Sequence, residues 1–414
     1  MHKNITMTRK LLTCIVTVML CLTACHHKDE PEEDVKPDRT VLVYMSGENS
    51  LSDFVQDDLY EMLKAKTDVR RHRLLVYIDD NSRRMPFLAR VLNGVLTDSV
   101  SLKDMGISRG DTLSSDPSVM ASIINYAFHK YPSRENDYGL VMWGHASGWV
   151  LDDSVATKKV ATARRRAYGI DNGTNSGNTK AWININSMAK AFEKVPHLKF
   201  IFADCCHFMC LESLYELRDA ADYIIGSPAE IPDVGAPYIT VAPALFEPDS
   251  FYTAIINRYY EQTIDYNLRV PLSAVKTSEM INVAKATRMA FQQMADTLKK
   301  TKLPDTKGLI HYYYSPLFID ANDFILRFAS TETYDTWKQA LDNAVVYKKM
   351  ATRWMTNASW TFNYSDFEMT EERYGGVSMF VPQDGVNNAT HQLYNDDIKK
   401  TSWYHATNQS SLGW

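Results

Sequence analysis

The sequence predicts an α/β protein with a mostly parallel sheet, and two observations carry that prediction. Short apolar runs rich in β-branched residues alternate with longer segments in which apolar residues recur at helical spacing. Several of the short runs are apolar throughout, which is typical of strands buried on both faces. Alternation of strand and helix favours parallel strands with helices on both sides of the sheet.

The individual elements follow from local signals. The predicted parallel strands are residues 40–45, 73–78, 137–143, 198–203 and 222–226. The helices predicted between them are residues 52–63, 117–131, 187–195 and 211–221. Asp116 and Pro117 form a strong helix start, with an acid at the cap and proline at the first helical position.

Other segments depart from this alternation. Residues 87–102 alternate apolar and polar side chains, which predicts a hairpin or an antiparallel edge. Beyond residue 250 the pattern becomes more helical, with helices at 251–262 and 278–300 and a strand at 272–275 between them. Residues 375–382 are predicted to be a late strand that returns to the sheet.

Composition excludes some function classes. The chain has 414 residues, of which 45% are hydrophobic and 23% charged, which is enough for a sizeable core. A net charge of -5 means that basic residues are not in excess, so the sequence predicts no nucleic-acid partner.

The N-terminus predicts export. Basic residues precede an uncharged apolar segment at 11–22, which is too short to span a bilayer comfortably and fits a secretory signal. The segment ends in Leu22-Thr23-Ala24-Cys25, which resembles a bacterial lipobox and predicts a signal peptide over 1–24 and lipidation of Cys25. Cleavage without lipidation is the alternative. The acidic, proline-containing segment 25–38 is predicted to be a disordered tether.

Three cysteines remain in the body of the exported chain. Cys14 and Cys21 leave with the signal, and Cys205, Cys206 and Cys210 are clustered without distant partners. No disulfide framework is therefore expected, although a local bridge that involves Cys210 stays open. At least one thiol is left over. It is either a buried small hydrophobe or a reactive nucleophile.

Two strand ends carry residues that could form a catalytic pair. The strand at 137–143 runs into Gly144-His145-Ala146-Ser147-Gly148-Trp149, and the strand at 198–203 runs into Asp204-Cys205-Cys206. The carboxyl ends of neighbouring parallel strands meet at one edge of the sheet. An imidazole there could generate the thiolate that a cysteine nucleophile requires.

These two blocks together resemble the clostripain family of cysteine endopeptidases. Four further segments agree in order, namely 41–45, 49–52, 216–223 and 376–382, and the similarity is densest from about 40 to 240. The resemblance implies a caspase-like α/β/α sandwich with a mostly parallel central sheet and a His–Cys dyad. It also implies a catalytic core at 39–250, with a helix-rich region at 251–414 that completes the sheet or caps the cleft.

Carried onto this sequence, the resemblance implies specific roles. His145 becomes the general base or acid, Cys206 the nucleophile and Cys205 a packing residue. Asp204 matches the acid that receives a basic P1 side chain, and its alternative role is a structural carboxylate that caps the next helix. The backbone N–H groups of Ala146 and Cys206 are the candidates for the oxyanion hole.

A basic loop could be the site of self-cleavage. Residues 151–180 lack apolar periodicity and carry Lys158, Lys159, Arg164, Arg165 and Arg166. The resemblance implies activation by self-cleavage after one of these residues. A solvated surface loop is the alternative.

The chain also departs from the family pattern. Ala146 replaces the usual glycine, so its methyl group is expected to narrow the approach to the site. His207 has the wrong spacing for a zinc site and is predicted to be a partly buried helix residue. The sequence requires no cofactor and indicates no metal site; Ca²⁺ enters only through the resemblance.

The sequence thus predicts a lipid-anchored cysteine endopeptidase of a bacterial cell envelope, at the outer membrane or surface, that cleaves peptides or proteins after Arg or Lys. One alternative is a surface binding lipoprotein of the same fold with a weak or inactive site. Another is a cysteine hydrolase of the same architecture that acts on non-basic peptides.

Overall fold

The computed structural model describes residues 36–82, 85–107, 113–151, 168–173, 181–262, 269–301, 304–313, 317–355, 367–382, 384–385 and 388–414. The strands are β1 (Arg39–Gly47), β2 (His72–Asp80), β3 (Phe87–Leu92), β4 (Val95–Ser101), β5 (Tyr138–Gly144), β6 (Tyr168–Asp171), β7 (Ala181–Ile183), β8 (Leu198–Asp204), β9 (Ala221–Gly226), β10 (Leu272–Lys276), β11 (Ile319–Asp320), β12 (Val345–Lys349) and β13 (Ser378–Met379). The helices are α1 (Ser52–Lys64), α2 (Pro117–Lys130), α3 (Ile185–Phe192), α4 (Leu211–Glu216), α5 (Tyr238–Ala244), α6 (Phe251–Glu261), α7 (Met280–Thr301), α8 (Ala321–Phe328), α9 (Thr331–Ala344), α10 (Ala389–Asp397) and α11 (Ser402–Ala406).

Most strands form one large sheet of nine, in the order β12-β10-β9-β8-β5-β1-β2-β3-β4. The five central strands, β9 to β2 in that order, are parallel, as the alternation predicts. β3 and β4 form the predicted antiparallel hairpin at one edge. β10 and β12, from the later part of the chain, extend the opposite edge with antiparallel pairing.

Helices cover both faces of the sheet, so the central strands are apolar on both sides. Every residue of β1 and β5 is buried. The closed face is the side on which Leu42, Met142 and Ile201 pack against α2, α3, α4 and α7. The site face is the side on which Val43 and Phe202 pack against α1, α5 and α6.

The start of α2 forms as its sequence predicts. The Asp116 side chain accepts hydrogen bonds from the backbone N–H groups of Ser118 and Val119, at 2.8 and 3.1 Å. These bonds satisfy two donors that the first helical turn leaves without partners.

Two predicted elements differ from the structure. The helix expected over 211–221 is only the short α4, because a turn at residues 217–220 leads into β9. The strand expected over 375–382 is reduced to β13, which pairs with β11 in a separate two-stranded sheet and does not join the large one. Within the described part of the chain, no helix is long and apolar enough to cross a membrane.

Candidate active site

The site lies at the edge of the sheet where β5 and β8 end side by side. The two strands are parallel neighbours in which Trp143 is paired with Asp204. Because side chains alternate along a strand, residues two positions further on return to the same face. His145 and Cys206 follow Trp143 and Asp204 by two positions. Cys206 packs against the core of the site face, and His145 contacts Ser50 in the segment that leads into α1, a helix of that face.

The three cysteines have different environments, and all are free thiols. Cys206 is half-buried and packs against the site face. Cys205 is 1% exposed and belongs to the core of the closed face, as expected for a packing residue. Burial raises the pKa of the Cys205 thiol well above its usual range, with smaller contributions from Cys206 and Asp204. Burial and the Glu212 charge raise the pKa of Cys210 to about 12.

A hydroxyl group orients the imidazole of His145. Ser50 Oγ lies 2.9 Å from His145 Nε2. Asn49 holds the loop that carries Ser50, because its side-chain N–H groups donate to the carbonyls of Ser46 and Ile170 at 2.9 and 2.8 Å. The imidazole of His145 is therefore held by Ser50 in the β1–α1 connection as well as by the strand that precedes it.

The sulfur of Cys206 is held by the segment after β9. The Ile231 N–H donates to Cys206 Sγ at 3.3 Å, and the Ile231 carbonyl lies 3.7 Å from the sulfur. The two backbone groups of Ile231 thus fix the position of the sulfur.

His207 fixes the turn directly after Cys206. Its backbone has a left-handed φ of 55° and its side chain is buried, so the prediction that it lies in a helix is wrong. The backbone N–H donates to the Ala229 carbonyl at 3.0 Å, and the ring stacks on Phe318 with centroids 4.5 Å apart. The ring nitrogen Nδ1 lies 3.1 Å from the Pro228 carbonyl. These contacts stabilise a backbone conformation that non-glycine residues adopt at a cost.

Asp204 is a buried carboxylate with three hydrogen-bond donors. One oxygen accepts from the Ala236 N–H at 3.1 Å and the Tyr238 hydroxyl at 2.8 Å, and the other accepts from the Tyr259 hydroxyl at 3.1 Å. Burial raises the pKa of Asp204, and the three donors oppose that rise. Because these partners lie beyond β9 and the next helix begins only at Leu211, the alternative role as a cap for that helix is wrong.

A second buried acid lies beside Asp204. Asp58, on α1, is 3% exposed and accepts a hydrogen bond from the indole N–H of Trp143 at 2.5 Å. Burial and the charge of Asp204 raise the pKa of Asp58 to about 9, and the Trp143 hydrogen bond opposes that rise. The site face thus holds two neighbouring carboxylates, and one of them, Asp204, precedes Cys206 by two positions.

The methyl group of Ala146 does not lie on the site face. Ala146 is buried in the core of the closed face and forms an isolated antiparallel bridge with Tyr168. The expectation that this methyl narrows the approach to the site is therefore wrong.

One cluster of described residues has the composition of a cation site. Carboxylate oxygens of the buried side chains of Glu48, Asp79 and Asp171 all lie within 4.8 Å of one another. Burial and the charge of Asp171 raise the pKa of Asp79 well above its usual range. Carboxylate oxygens bind Ca²⁺ or Mg²⁺. Without a cation, a proton shared between two of these carboxylates would relieve the repulsion between their charges.

Several predicted sites lie outside the described residues. These are Cys25 with the signal peptide and most of the tether, and the self-cleavage candidates Lys158, Lys159, Arg164, Arg165 and Arg166.

The sequence analysis missed Ser50, Ile231 and Asp58. Only Asp58 leaves a signal in the sequence: it falls on the buried stripe of α1, together with Val55 and Met62. A charged residue at an apolar position of a helix requires a buried partner.

Comparisons with known proteins concern the family and the fold of the chain. Residues 43–414 match the model of the clostripain family (peptidase C11). No curated protein matches the sequence.

Three solved structures resemble the chain over 90% of its length and 99% of theirs. A secreted C11 cysteine protease from Bacteroides thetaiotaomicron, in complex with an irreversible peptide inhibitor, is 28% identical with a TM-score of 0.72. An inactive zymogen C11 protease from Parabacteroides distasonis is 26% identical with a TM-score of 0.71. A second secreted C11 cysteine protease from B. thetaiotaomicron, 19% identical with a TM-score of 0.68, shares the fold.

Proposed function

The chain belongs to the clostripain family and is a cysteine peptidase with a caspase-like fold, and from that premise we propose that it is an endopeptidase that cleaves after Arg or Lys. The observation that carries this proposal is the common face of the sheet edge. β5 and β8 are paired up to Trp143 and Asp204, and His145 and Cys206 follow directly after this pair. This supports a site in which His145 is the base, Cys206 the nucleophile and Asp204 the acid that receives a basic side chain.

The proposed chemistry is acyl transfer through a thioester. The Cys206 thiolate attacks the carbonyl carbon of the scissile peptide, and the carbonyl oxygen becomes an oxyanion that accepts from the backbone N–H groups of Ala146 and Cys206. His145 gives its proton to the leaving amine as the C–N bond breaks. It then takes a proton from water, whose oxygen attacks the thioester carbonyl. The C–S bond breaks, the carboxylic acid product leaves, and the Cys206 thiolate and the protonated His145 are regenerated.

Selectivity for a basic P1 residue rests on Asp204. Its carboxylate is held in a fixed orientation by Tyr238, Tyr259 and the Ala236 N–H. A fixed carboxylate in a buried pocket pairs well with a guanidinium or an ammonium group.

Fluorogenic peptides that differ only at P1 test the function. We expect turnover of the Arg and Lys peptides, little turnover of the matching Gln peptide, and complete loss after treatment with a thiol alkylator. Turnover without preference for a basic residue would favour a hydrolase of non-basic peptides. No turnover, even after nicking with trypsin, would favour a binding protein of the same fold.

We expect the enzyme to be made as a zymogen that cleaves itself in the loop 151–180, after Lys158, Lys159, Arg164, Arg165 or Arg166. The matched protein from P. distasonis is described as an inactive zymogen, which supports this expectation. Purified protein should separate into two fragments, and a Cys206→Ala form should stay intact. Two fragments from both forms, or from neither, would contradict self-cleavage.

The proposed location is the bacterial cell envelope, after export and lipidation of Cys25. Two matched proteins are described as secreted, which supports export. Labelling of growing cells with a palmitate analogue should mark the wild-type protein and leave a Cys25→Ser form unmarked. Equal labelling of both forms would contradict the anchor.

None of these chemical steps uses a metal, so we expect turnover to need none. If Ca²⁺ is bound, as the family resemblance allows, Glu48, Asp79 and Asp171 are the residues that would hold it. Dialysis against EDTA should leave the rate unchanged. A loss of activity that Ca²⁺ restores would contradict this expectation.

A further inference from the structure

A buried imidazole that the proposed chemistry does not use lies directly after the nucleophile. His207 is 2% exposed and has a left-handed φ of 55°. Glycine adopts this conformation without strain, whereas a residue with a Cβ adopts it at a cost. Contacts of the histidine have to offset that cost, so its ring and its backbone are expected to stabilise this part of the site.

His207 binds the support segment, which we define as residues 227–231, directly after β9. Its backbone N–H donates to the Ala229 carbonyl at 3.0 Å. Its ring nitrogen Nδ1 lies 3.1 Å from the Pro228 carbonyl. Because a carbonyl oxygen only accepts hydrogen bonds, Nδ1 carries the proton of this second bond. Two hydrogen bonds from one residue thus hold the middle of the support segment.

The same segment holds the sulfur of the nucleophile. The Ile231 N–H donates to Cys206 Sγ at 3.3 Å, and the Ile231 carbonyl lies 3.7 Å from the sulfur. At the other end of the segment, the Ser227 carbonyl accepts from the Met209 N–H at 3.1 Å. The position of the sulfur relative to its own turn therefore depends on how the support segment is held, and His207 supplies two of the bonds that hold it.

Two other parts of the molecule fix the histidine in place. Phe318, which is 1% exposed, stacks on the ring with centroids 4.5 Å apart and 5° between the planes, and Tyr313 contacts it edge-on at 5.1 Å. A Cβ placed on Gly148 would lie 2.5 Å from the His207 carbonyl oxygen, so the loop that carries His145 packs directly on its backbone. His207 therefore lies where the segments that carry the base and the nucleophile meet the support segment.

We propose that His207 is a positioning residue that keeps Cys206 Sγ in its reactive place by fixing the support segment. This inference rests on the proposed role of Cys206 as the nucleophile. A smaller residue at position 207 would keep the turn, but it would leave the face of Phe318 uncovered and the Pro228 carbonyl without its donor. The support segment could then shift together with the N–H group on the sulfur. A misplacement of reacting atoms by about 1 Å can lower a rate roughly 10²-fold.

Removal of the ring with the backbone conformation unchanged tests this. His207→Gly favours the left-handed φ and should lower kcat for an Arg peptide roughly tenfold or more, with KM within about twofold of wild type. KM should hold because Asp204, which is proposed to receive the P1 side chain, is bound by Tyr238 and Tyr259, outside the support segment. A general loss of structure would not lower kcat alone.

His207→Asn should restore part of the rate. Asparagine also tolerates a left-handed φ, and its side-chain amide stands close to the place of Nδ1 and can donate to the Pro228 carbonyl. His72→Ala is the matched control, because His72, at the start of β2, stacks on Phe246 with centroids 4.4 Å apart. Its loss removes a similar stack at the opposite edge of the sheet and should leave kcat unchanged.

Each enzyme is first nicked with immobilised trypsin, which is then removed, so that slow self-cleavage is not mistaken for slow turnover. Equal kcat in folded His207→Gly and wild type overturns the inference, as does a rise in KM with unchanged kcat. Equal rates in His207→Gly and His207→Asn also overturn it, since the bond to Pro228 would then have no effect. If His207→Gly does not fold, Phe318→Leu decides: its kcat should fall roughly threefold, and an unchanged kcat overturns the inference.

Wild-type turnover separates this inference from the proposed function. A wild-type enzyme that cleaves after Arg or Lys, together with a His207→Gly form of equal kcat, overturns the role of His207 alone. A nicked wild-type enzyme that cleaves no peptide overturns the proposed function, and the role of His207 with it.

Discussion

The two faces of the central sheet differ at the edge where β5 and β8 end, and the adjacent residues Cys205 and Cys206 show the contrast. On the closed face, Cys205 is surrounded by apolar side chains, and burial raises the pKa of its thiol well above the usual range. On the site face, the sulfur of Cys206 is half-buried and accepts an N–H from Ile231. This difference in burial and hydrogen bonding is the reason to expect Cys206, and not Cys205, to react.

The same contrast applies to the acids. The site face holds Asp58 and Asp204 with hydroxyl, amide and indole donors around them. On the closed face, the residues that line the end of β8 are apolar or small, including Ala203 and Ala146. Beside the end of β8, the acids that could pair with a charged substrate group therefore lie on the site face.

Replacement of each of the two cysteines by alanine should give the largest difference in activity. Cys206→Ala should lower kcat/KM for an Arg peptide by at least about 10³-fold, since the nucleophile is lost. Cys205→Ala removes only buried volume and should cost about 1 kcal/mol of stability with little change in rate. Steady-state kinetics and thermal unfolding of both variants measure this. Comparable losses of activity in two folded variants would contradict the assignment of the faces.

Neutralisation of the acid next to the nucleophile should have the second largest effect. Asp204→Asn removes the charge but keeps an oxygen acceptor for Tyr238 and the Ala236 N–H, and its amide NH2 can donate to the Tyr259 hydroxyl. It should lower kcat/KM for Arg and Lys peptides roughly 10- to 100-fold, because a charge-assisted hydrogen bond is lost. Turnover of a Gln peptide serves as the control and should not fall. A proportional fall with all peptides would indicate a structural role.

A methyl group on Gly235, beside Asp204, should have an intermediate effect. Gly235→Ala should raise KM for Arg peptides roughly tenfold, because the added methyl would lie only 3.2 Å from an oxygen of Asp204 and would displace that carboxylate. Gly106→Ala is the matched control: its φ of +79° imposes a similar strain, and no atom lies within 4 Å of the added methyl. An equal change in KM in the two variants would mean that backbone strain is responsible, and not the contact of the added methyl with Asp204.

Loss of the hydroxyl that contacts His145 should have the smallest effect. Ser50→Ala should lower kcat roughly 2- to 10-fold with little change in KM, because one orienting hydrogen bond is removed. Ser50→Thr retains the hydroxyl and should restore most of the rate. A rise in KM with unchanged kcat would show that Ser50 contacts the substrate instead.

The sequence was sufficient for the parts of the fold that depend on local pattern. The parallel strands around β5 and β8 follow from their apolar runs, and the cap of α2 follows from Asp116. The placement of Cys205 in the core was predicted from the family resemblance, and strand alternation gives the same result.

Features that depend on contacts between distant segments could not be predicted in this way. The run at 375–382 has the composition of a strand, but only Ser378–Met379 pairs, with a partner outside the large sheet. The partners of Asp204 come from α5, α6 and the loop before α5, which no local pattern connects to β8. Asp58 leaves a local signal, an acid on an apolar stripe, but the signal does not name its partner.

The central claim is that Cys206, and not its neighbour, reacts with a substrate whose basic side chain is bound by Asp204. Peptide mapping after labelling with an arginyl chloromethyl ketone tests it most directly. The wild-type enzyme should carry one adduct, on Cys206, with Cys205 and Cys210 unmodified, and Asp204→Asn should be labelled more slowly. An adduct on Cys205 or Cys210, or labelling of Cys206 at the same rate in Asp204→Asn, would contradict the claim.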